Sequence, residues 1–386
     1  MSSRCRSLLL QRALAPLLLM LALPAAAQVV PLTAGPPQIA ANARSYVLLD
    51  FDTGQVIASH AADLQLPPAS LTKLMTAYLA YQAVAAGRLH WQQRVPVSVT
   101  AWHTGGSSMF IQPELPVTTD QLMHGLIIDS GNDAAVALAQ AIAGTRAAFV
   151  TQMNATAAAL GLAGAHYADV DGLPAADLHM SALDIAQLSR DLIRQYPSII
   201  AISARKSYRY GGITQRSWNP ALFGHPSVDG LKTGHTQAAG YCMDVTAVRN
   251  GRRLIAVVMG APDWHAAVHD ALALLDYGYD FTVNRTVLQA GTPLGSYRDL
   301  HLRPDRIALV VPNALTVTVP TDAAAQLQTR VSYRAPLAAA VRKGEMLGQV
   351  SVLLGDRVLA SAPLLAQRSA AHAGFFGTLW NRMLSG

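Results

Sequence analysis

The texture of this chain changes once, near Phe281. Before that point, long apolar stretches carry residues at helical spacing. After it, short strand-like runs (residues 307–311, 315–319, 328–333, 345–354 and 357–360) are separated by Pro, Gly, Asn and Asp. Runs of that length bounded by turn formers read as strands of a small all-β unit. One uniform fold is therefore excluded, and a boundary is expected near Asn284. The 386 residues leave room for two cores. With 51% hydrophobic residues and 13% charged, the chain lies well below the roughly 25% charged of an average globular protein. Such a chain buries too much apolar surface to remain disordered.

The two ends carry signals of their own. Arg4, Arg6 and Arg12 precede an apolar run that begins at Ala13 and ends in Ala25-Ala26-Ala27. A positive segment, an apolar segment and a small-residue cleavage site read as a secretory signal peptide over residues 1–27. The run is shorter than the roughly 20 residues of a spanning helix. Cleavage there removes three of the cations behind the formal net charge of +6. No basic cluster remains, which argues against a nucleic-acid partner. Residues 28–42 read as a leader punctuated by Pro and Gly. Cys5 leaves with the signal peptide, so Cys242 has no internal partner, and its apolar alternating surroundings make it a core residue. Across residues 367–386, Phe375, Phe376, Leu379, Trp380, Met383 and Leu384 fall on one half of a helix, with Thr378, Asn381, Arg382 and Ser385 on the other. This tail is expected to lie in a membrane interface; docking on the β unit is the alternative.

Between residues 43 and 284, the segments 46–50 and 55–59 flank a turn and predict a hairpin. Apolar residues from Leu71 to about Ala86 recur at helical spacing. Thr118-x-x-Gln121 resembles a capping box opening a helix to about Ile128, and a second helix runs from Asp133 to about Ala143. Asn250-Gly251 predicts a tight hairpin between strands 241–248 and 253–259.

Three short motifs carry chemistry. Ser70-Leu71-Thr72-Lys73 follows Pro67-Pro68 at the start of the first predicted helix. Residues three apart share a helical face, so the Lys73 amine can reach the Ser70 hydroxyl. A serine needs a base to become a nucleophile, and a lysine serves only if its pKa is depressed. Ser130-Gly131-Asn132 lies in the tight loop between two helices, where a hydroxyl and an amide can face one pocket; a helix-capping turn is the bland reading. Lys232-Thr233-Gly234-His235 precedes the second hairpin and offers a cation, a hydroxyl and a position of close approach for substrate, although the tripeptide alone fits an ordinary turn. Ser203-x-x-Lys206 and Ser217-Trp218-Asn219 repeat two of the patterns without the flanking context and are read as coincidence. His265 and His269 stand four apart on a probable helix, a spacing that suits zinc, but no third ligand is evident.

In this order and these settings the motifs resemble those of the active-site serine penicillin-recognising enzymes. More closely, the chain is similar to the low-molecular-mass penicillin-binding proteins of the D-alanyl-D-alanine carboxypeptidase family. The resemblance runs through LLDFDTGQVIASHAAD, PPASLTKLMT, GGSSMFIQP, LIIDSGNDAAVALA and VDGLKTGHTQAAGYC and continues to the tail. It implies an α+β fold: a transpeptidase/β-lactamase-like catalytic domain with helices around an antiparallel sheet (43–284), a β-rich domain (285–366) and the amphipathic tail. It implies that Ser70, Lys73 and Ser130 are catalytic and that Asn132, Lys232, Thr233, Gly234 and His235 bind substrate, with no metal or organic cofactor. The implied substrate is the peptidoglycan stem peptide, with β-lactams as covalent inhibitors. The implied place is the periplasm, on the inner-membrane surface. In Asp169-Val170-Asp171-Gly172-Leu173, Asp171 stands where a small or hydroxyl residue is expected.

Two rivals share the motifs. A fast class A β-lactamase depends on a water-positioning glutamate, and this chain has only Glu114 and Glu345, neither between Ser130 and Lys232. A D-Ala endopeptidase differs in its products rather than in its motifs. A non-catalytic wall-binding protein is disfavoured because every expected catalytic group is present.

Overall fold

A computed structural model describes residues 42–334 and 340–383. The signal peptide, all of the leader but Asn42, and the last three residues of the tail lie outside the described residues. Ser45–Asp50 pairs with Val56–His60 as the expected hairpin. Asn250 and Gly251 adopt φ values of 50° and 78° and join Gly240–Arg249 to Arg252–Ala261. Those left-handed values are what a two-residue hairpin turn demands. The lysine motif is itself a strand, Val228–Thr236, at one edge of the sheet. From the other edge the order is Val56–His60, Ser45–Asp50, Arg252–Ala261, Gly240–Arg249, Val228–Thr236, with every pair antiparallel.

Alternation along these strands builds two cores, one on each face. Val47, Leu49, Cys242, Ile255 and Val257 face the helical layer. Leu48, Val245, Leu254, Ala256 and Val258 face the helix Trp264–Phe281. A period of two places successive side chains on opposite faces, so both faces of the sheet are covered. Burial pushes the Cys242 thiol up to about 11, in keeping with a core residue.

At the centre of the helical layer lies Lys73–Ala85, with Leu74, Met75, Ala77, Leu79, Ala80 and Ala83 all buried. The apolar spacing belongs to a core helix, in which only Gln82 and Ala85 are exposed and the alanines let neighbouring elements approach closely. Thr119–Ile127 opens with the expected capping box, both bonds being formed between Thr118 and Gln121. Asn132–Ala143 follows after a tight loop.

The helix Trp264–Phe281 passes directly into the strand Thr282–Leu288, which pairs with Leu315–Pro320. A five-stranded sheet completes this all-β region around Ile307, Leu309, Val317, Val350, Val352 and Leu364. A polar joint ties it to the first sheet. Arg252 binds the Asp50 carboxylate at 2.8 Å and the Thr282 carbonyl at 2.7 Å, Asn284 donates to Asp50 at 3.1 Å, and the Thr318 N–H donates to Gln55 at 2.6 Å. The terminal helix Gly374–Met383 rests on this region through its polar side, Asn381 donating to the carbonyls of Leu300 and Leu302. Its apolar side faces outward, with Phe375 and Phe376 about four-fifths exposed at 79% and 83%.

Candidate active site

Ser70 lies on a 3₁₀ turn, Ala69–Thr72, and the α-helix begins only at Lys73. The sequence places Ser70 in the helix; the extra tight turn arises where Ala69 takes a left-handed φ of 48° behind the two prolines. A non-glycine residue held there is strained, and the bend turns Ser70 out of the buried helix, which leaves it half-buried.

The Lys73 amine is fully buried and donates to Ser70 Oγ at 2.8 Å, Asn132 Oδ1 at 2.6 Å and the Asp171 carbonyl at 2.6 Å. Burial lowers its pKa to about 8, against the opposing pull of Asp171, Asp169 and Asp133. A neutral amine keeps two donors and one lone pair. With Asn132 and Asp171 taking the donors, the lone pair points at the Ser70 hydroxyl, which is the geometry of a general base.

Ser130, at a left-handed φ of 58° in the loop between two helices, accepts from Lys232 Nζ at 2.8 Å. Burial, then the nearby Lys73 charge, holds the Lys232 pKa well below its ordinary value. Asn132 heads its helix and donates through Nδ2 to the Gly105 carbonyl at 2.7 Å, while its backbone N–H donates to Ser107 at 2.7 Å. Thr233 Oγ1 reaches the Trp218 carbonyl at 3.4 Å. A Cβ on Gly234 would lie 2.8 Å from the Ser70 backbone nitrogen and 3.1 Å from both Ala69 Cβ and the Pro68 carbonyl. The edge strand thus lies directly against the nucleophile's turn. His235 is exposed and stacks on Tyr241 with ring centroids 4.1 Å apart. Beside these residues, Ala69, Gly172, Pro174, Ala176, Leu178 and Thr236 line a mostly apolar cavity of about 280 Å³.

All eight sequence-predicted residues therefore lie around one locus, whereas the two repeated patterns form no such serine–lysine or serine–amide pair, although the second borders the site through the Trp218 carbonyl. Ser203 Oγ donates to the Asp229 carbonyl at 2.8 Å, and the Lys206 ammonium lies 5.9 Å from the Phe223 ring. Asn219 caps a short turn and holds the Gly230 carbonyl. His265 and His269 are exposed, and among the described residues no group of three His, Cys, Asp or Glu side chains could hold a metal ion.

Sequence reasoning misses two supports. Asp133 accepts from the N–H groups of Met109 and Ile111 and from Ser108 Oγ, pinning the loop whose Gly105 and Ser107 hold Asn132. Asp169 accepts from the N–H groups of Asp171 and Gly172 and from Arg146, fixing the loop that meets Lys73. The one local hint is an acidic residue in the first turn of Asn132–Ala143, where the helix dipole favours it.

Residues 31–263 match the family described as D-alanyl-D-alanine carboxypeptidase, peptidase S11, and residues 283–371 match the penicillin-binding protein 5 C-terminal domain. The D-alanyl-D-alanine carboxypeptidase DacA of Escherichia coli is 35% identical over 353 residues, covering 89% of this chain and 87% of that protein. The crystal structure of penicillin binding protein 5 from Haemophilus influenzae superposes with a TM-score of 0.82 at 31% identity, over 88% of this chain and 100% of that one. Penicillin-binding protein D2 of Listeria monocytogenes, in its ampicillin-bound form, gives a TM-score of 0.59 at 28% identity, over 63% of this chain and 100% of that one. With a paired serine and lysine, a second serine on a second lysine, and matches through both domains, the chain belongs to the D-alanyl-D-alanine carboxypeptidase family of serine peptidases.

Proposed function

We propose that this chain is a serine-type D-alanyl-D-alanine carboxypeptidase acting on the stem peptides of peptidoglycan. The observation that carries the reading is the Lys73 amine, buried, lowered to about 8 and aimed at Ser70 Oγ from 2.8 Å. Lys73 takes the hydroxyl proton as Ser70 attacks the carbonyl between the two terminal D-alanines. The backbone N–H groups of Ser70 and His235, brought together where Gly234 meets Ser70, face the developing oxyanion. Ser130, held by Lys232, relays a proton to the departing amine; Lys232 and Thr233 bind that residue's carboxylate. Asn132 has one amide hydrogen beyond those given to the protein, and this anchors the acyl-side peptide backbone. Water then hydrolyses the Ser70 ester, freeing the enzyme, so the net reaction releases one D-alanine. A β-lactam enters by the same attack, its amide opening to a Ser70 ester that is released slowly; the likeness to an ampicillin-bound penicillin-binding protein supports this.

The export signal and the outward apolar face of Gly374–Met383 support residence in the periplasm, with the tail resting on the inner-membrane surface. The catalytic reading is tested with a fluorescent penicillin and a pentapeptide. Wild type is expected to be labelled and to release free D-alanine, and Ser70→Ala to do neither. Labelling that persists in Ser70→Ala would overturn the site assignment. Monomers released from cross-linked dimers without D-alanine from the pentapeptide would overturn the carboxypeptidase reading.

A further inference from the structure

Residues 205–216 hold Arg205, Lys206, Arg209 and Arg216 and no acid. They form a hairpin in which Ser207–Tyr210 pairs with Ile213–Arg216 across Gly211-Gly212, whose φ values of 54° and 84° suit a two-residue turn. The register sets Ser207 opposite Arg216 and Arg209 opposite Thr214, so these four share one face. All four are exposed. The other face is pinned to the protein: Tyr208 and Tyr210 pack against the helical core, Tyr208 stacks on His124, and Gln215 donates to the Ser108 carbonyl at 2.9 Å.

The outer face is cationic and uncompensated. The Arg216 guanidinium lies 3.8 Å from the centre of the Phe223 ring and the Lys206 ammonium 5.9 Å from it, so one ring carries two like charges. Among the described residues, none of the four cations forms an ion pair with a carboxylate. Asp120, an acid on the pinned side, lies 3.6 Å from His124. A guanidinium stacked by its flat side keeps its N–H edge open to a carboxylate. Two residues beyond Arg216, no more than about 7 Å along the chain, the Trp218 carbonyl meets Thr233 Oγ1 at 3.4 Å. The Trp218 N–H donates to the carbonyl of Ile128, just ahead of Ser130. The hairpin therefore stands at the end of the site where Lys232 and Thr233 receive the C-terminal carboxylate, whereas the apolar terminal helix rests on the β region.

We propose that the outer face of this hairpin, with Lys206, Arg209 and Arg216, is a docking surface for the carboxylates of neighbouring stem peptides on polymeric peptidoglycan. The inference rests on the acyl-transfer reading above and goes beyond it by separating two forms of the substrate. A stem peptide that this reaction shortens ends in a free carboxylate before cleavage and after it. A polymer bearing many stems is therefore a multivalent anion, and while one stem occupies the site, others meet the hairpin beside it. Each exposed pair is weak alone. Several together raise the encounter rate and hold the polymer, and salt weakens them. A free pentapeptide, with its one carboxylate held by Lys232 and Thr233, gains nothing from this face.

The test compares D-alanine release from a soluble pentapeptide and from purified, insoluble peptidoglycan, using the full chain at low salt. Lys206→Glu with Arg209→Glu reverses two charges and spares the Arg216 stacking; Arg209→Gln with Arg216→Gln only neutralises. On the polymer, kcat/KM is expected to fall about tenfold in the first variant and about threefold in the second. On the pentapeptide, and in labelling by a fluorescent penicillin, both are expected to match wild type. Raising the salt should slow wild type on the polymer toward the level of the variants. Equal losses on both substrates would mean a disturbed site rather than a lost surface, and would overturn the proposal. So would variants that keep the polymer rate but no longer float with anionic vesicles, because the face would then serve a membrane. A wild type inert on the pentapeptide would bring down the catalytic reading and this inference with it, whereas a polymer rate indifferent to charge reversal in an active enzyme would sink this inference alone.

Discussion

Gly234 shows how tightly single residues constrain the site. An added methyl would meet backbone and Cβ atoms of residues 68–70 at 2.8 to 3.1 Å, none of them the end of a flexible side chain. Gly234→Ala must therefore push the edge strand away from the Ser70 turn, at a cost of about 1–3 kcal/mol. Acylation is expected to fall by about a hundredfold or more, since sites held within a fraction of an ångström lose rate steeply when displaced. Penicillin labelling beside a thermal melt checks both effects, and labelling at the wild-type rate would contradict the close approach. The sequence shows the glycine but suggests a different reason for it, room for substrate rather than for the nucleophile's own backbone. Lys73 illustrates the limit more sharply. Its pairing with Ser70 is legible from a spacing of three, whereas its contacts with Asn132 and the Asp171 carbonyl cross 59 and 98 residues and leave no local pattern.

At the scale of elements, signals confined to one turn are the readable ones. Thr118 and Gln121 announce a capping box, and Asn250-Gly251 announces a hairpin, because each satisfies its own backbone locally. Ala182–Gln195 escapes notice although Ser181 and Asp184 form a capping box, since Asp stands where the usual pattern has Glu or Gln. Val228–Thr236 is obscured by two glycines and a lysine, residues with little strand preference, and exists because Gly240–Arg249 supplies its backbone partners. The terminal helix is legible from its pattern, and its orientation carries a prediction. Its polar side binds the β region through Asn381, leaving Phe375, Phe376 and Trp380 outward. The full chain should float with vesicles containing anionic lipid, and Phe376→Ser with Trp380→Ser should leave it in solution while penicillin labelling stays unchanged. Equal flotation by that variant would refute the interfacial role.

Across the whole molecule, the division into a mixed region and an all-β region is legible from the change of texture, but neither the split of the first region into two cores nor the joint is. Asp50, Gln55, Arg252, Asn284 and Thr318 are unremarkable apart and meet only in the folded chain. The folded state also carries buried acids that shape its stability. Asp244 faces Ser189, which donates to it at 2.5 Å, and burial pushes its carboxyl up to about 7. Its folded pKa lies above its unfolded one, near 4. Between those values the folded state holds the extra proton, so this contribution is present at acid pH and is lost as pH rises through about 7. Asp244→Asn removes that dependence. Urea midpoints should therefore improve for the variant relative to wild type on going from about pH 5 to about pH 8, and a constant difference would contradict the assignment.

The register of the first sheet fixes one more property. Gly234, beside the serine, is level with Cys242, and Asp50, in the joint, is level with Leu254 and through it with Ala247. From residue 242 to residue 247 a strand advances about 17 Å. The end beside Ser70 and the end at the polar joint are thus opposite ends of the same strands. Whatever holds the β region holds Ser70 at a standing distance on the far side, and that reach is cast in paired backbone rather than left to a tether.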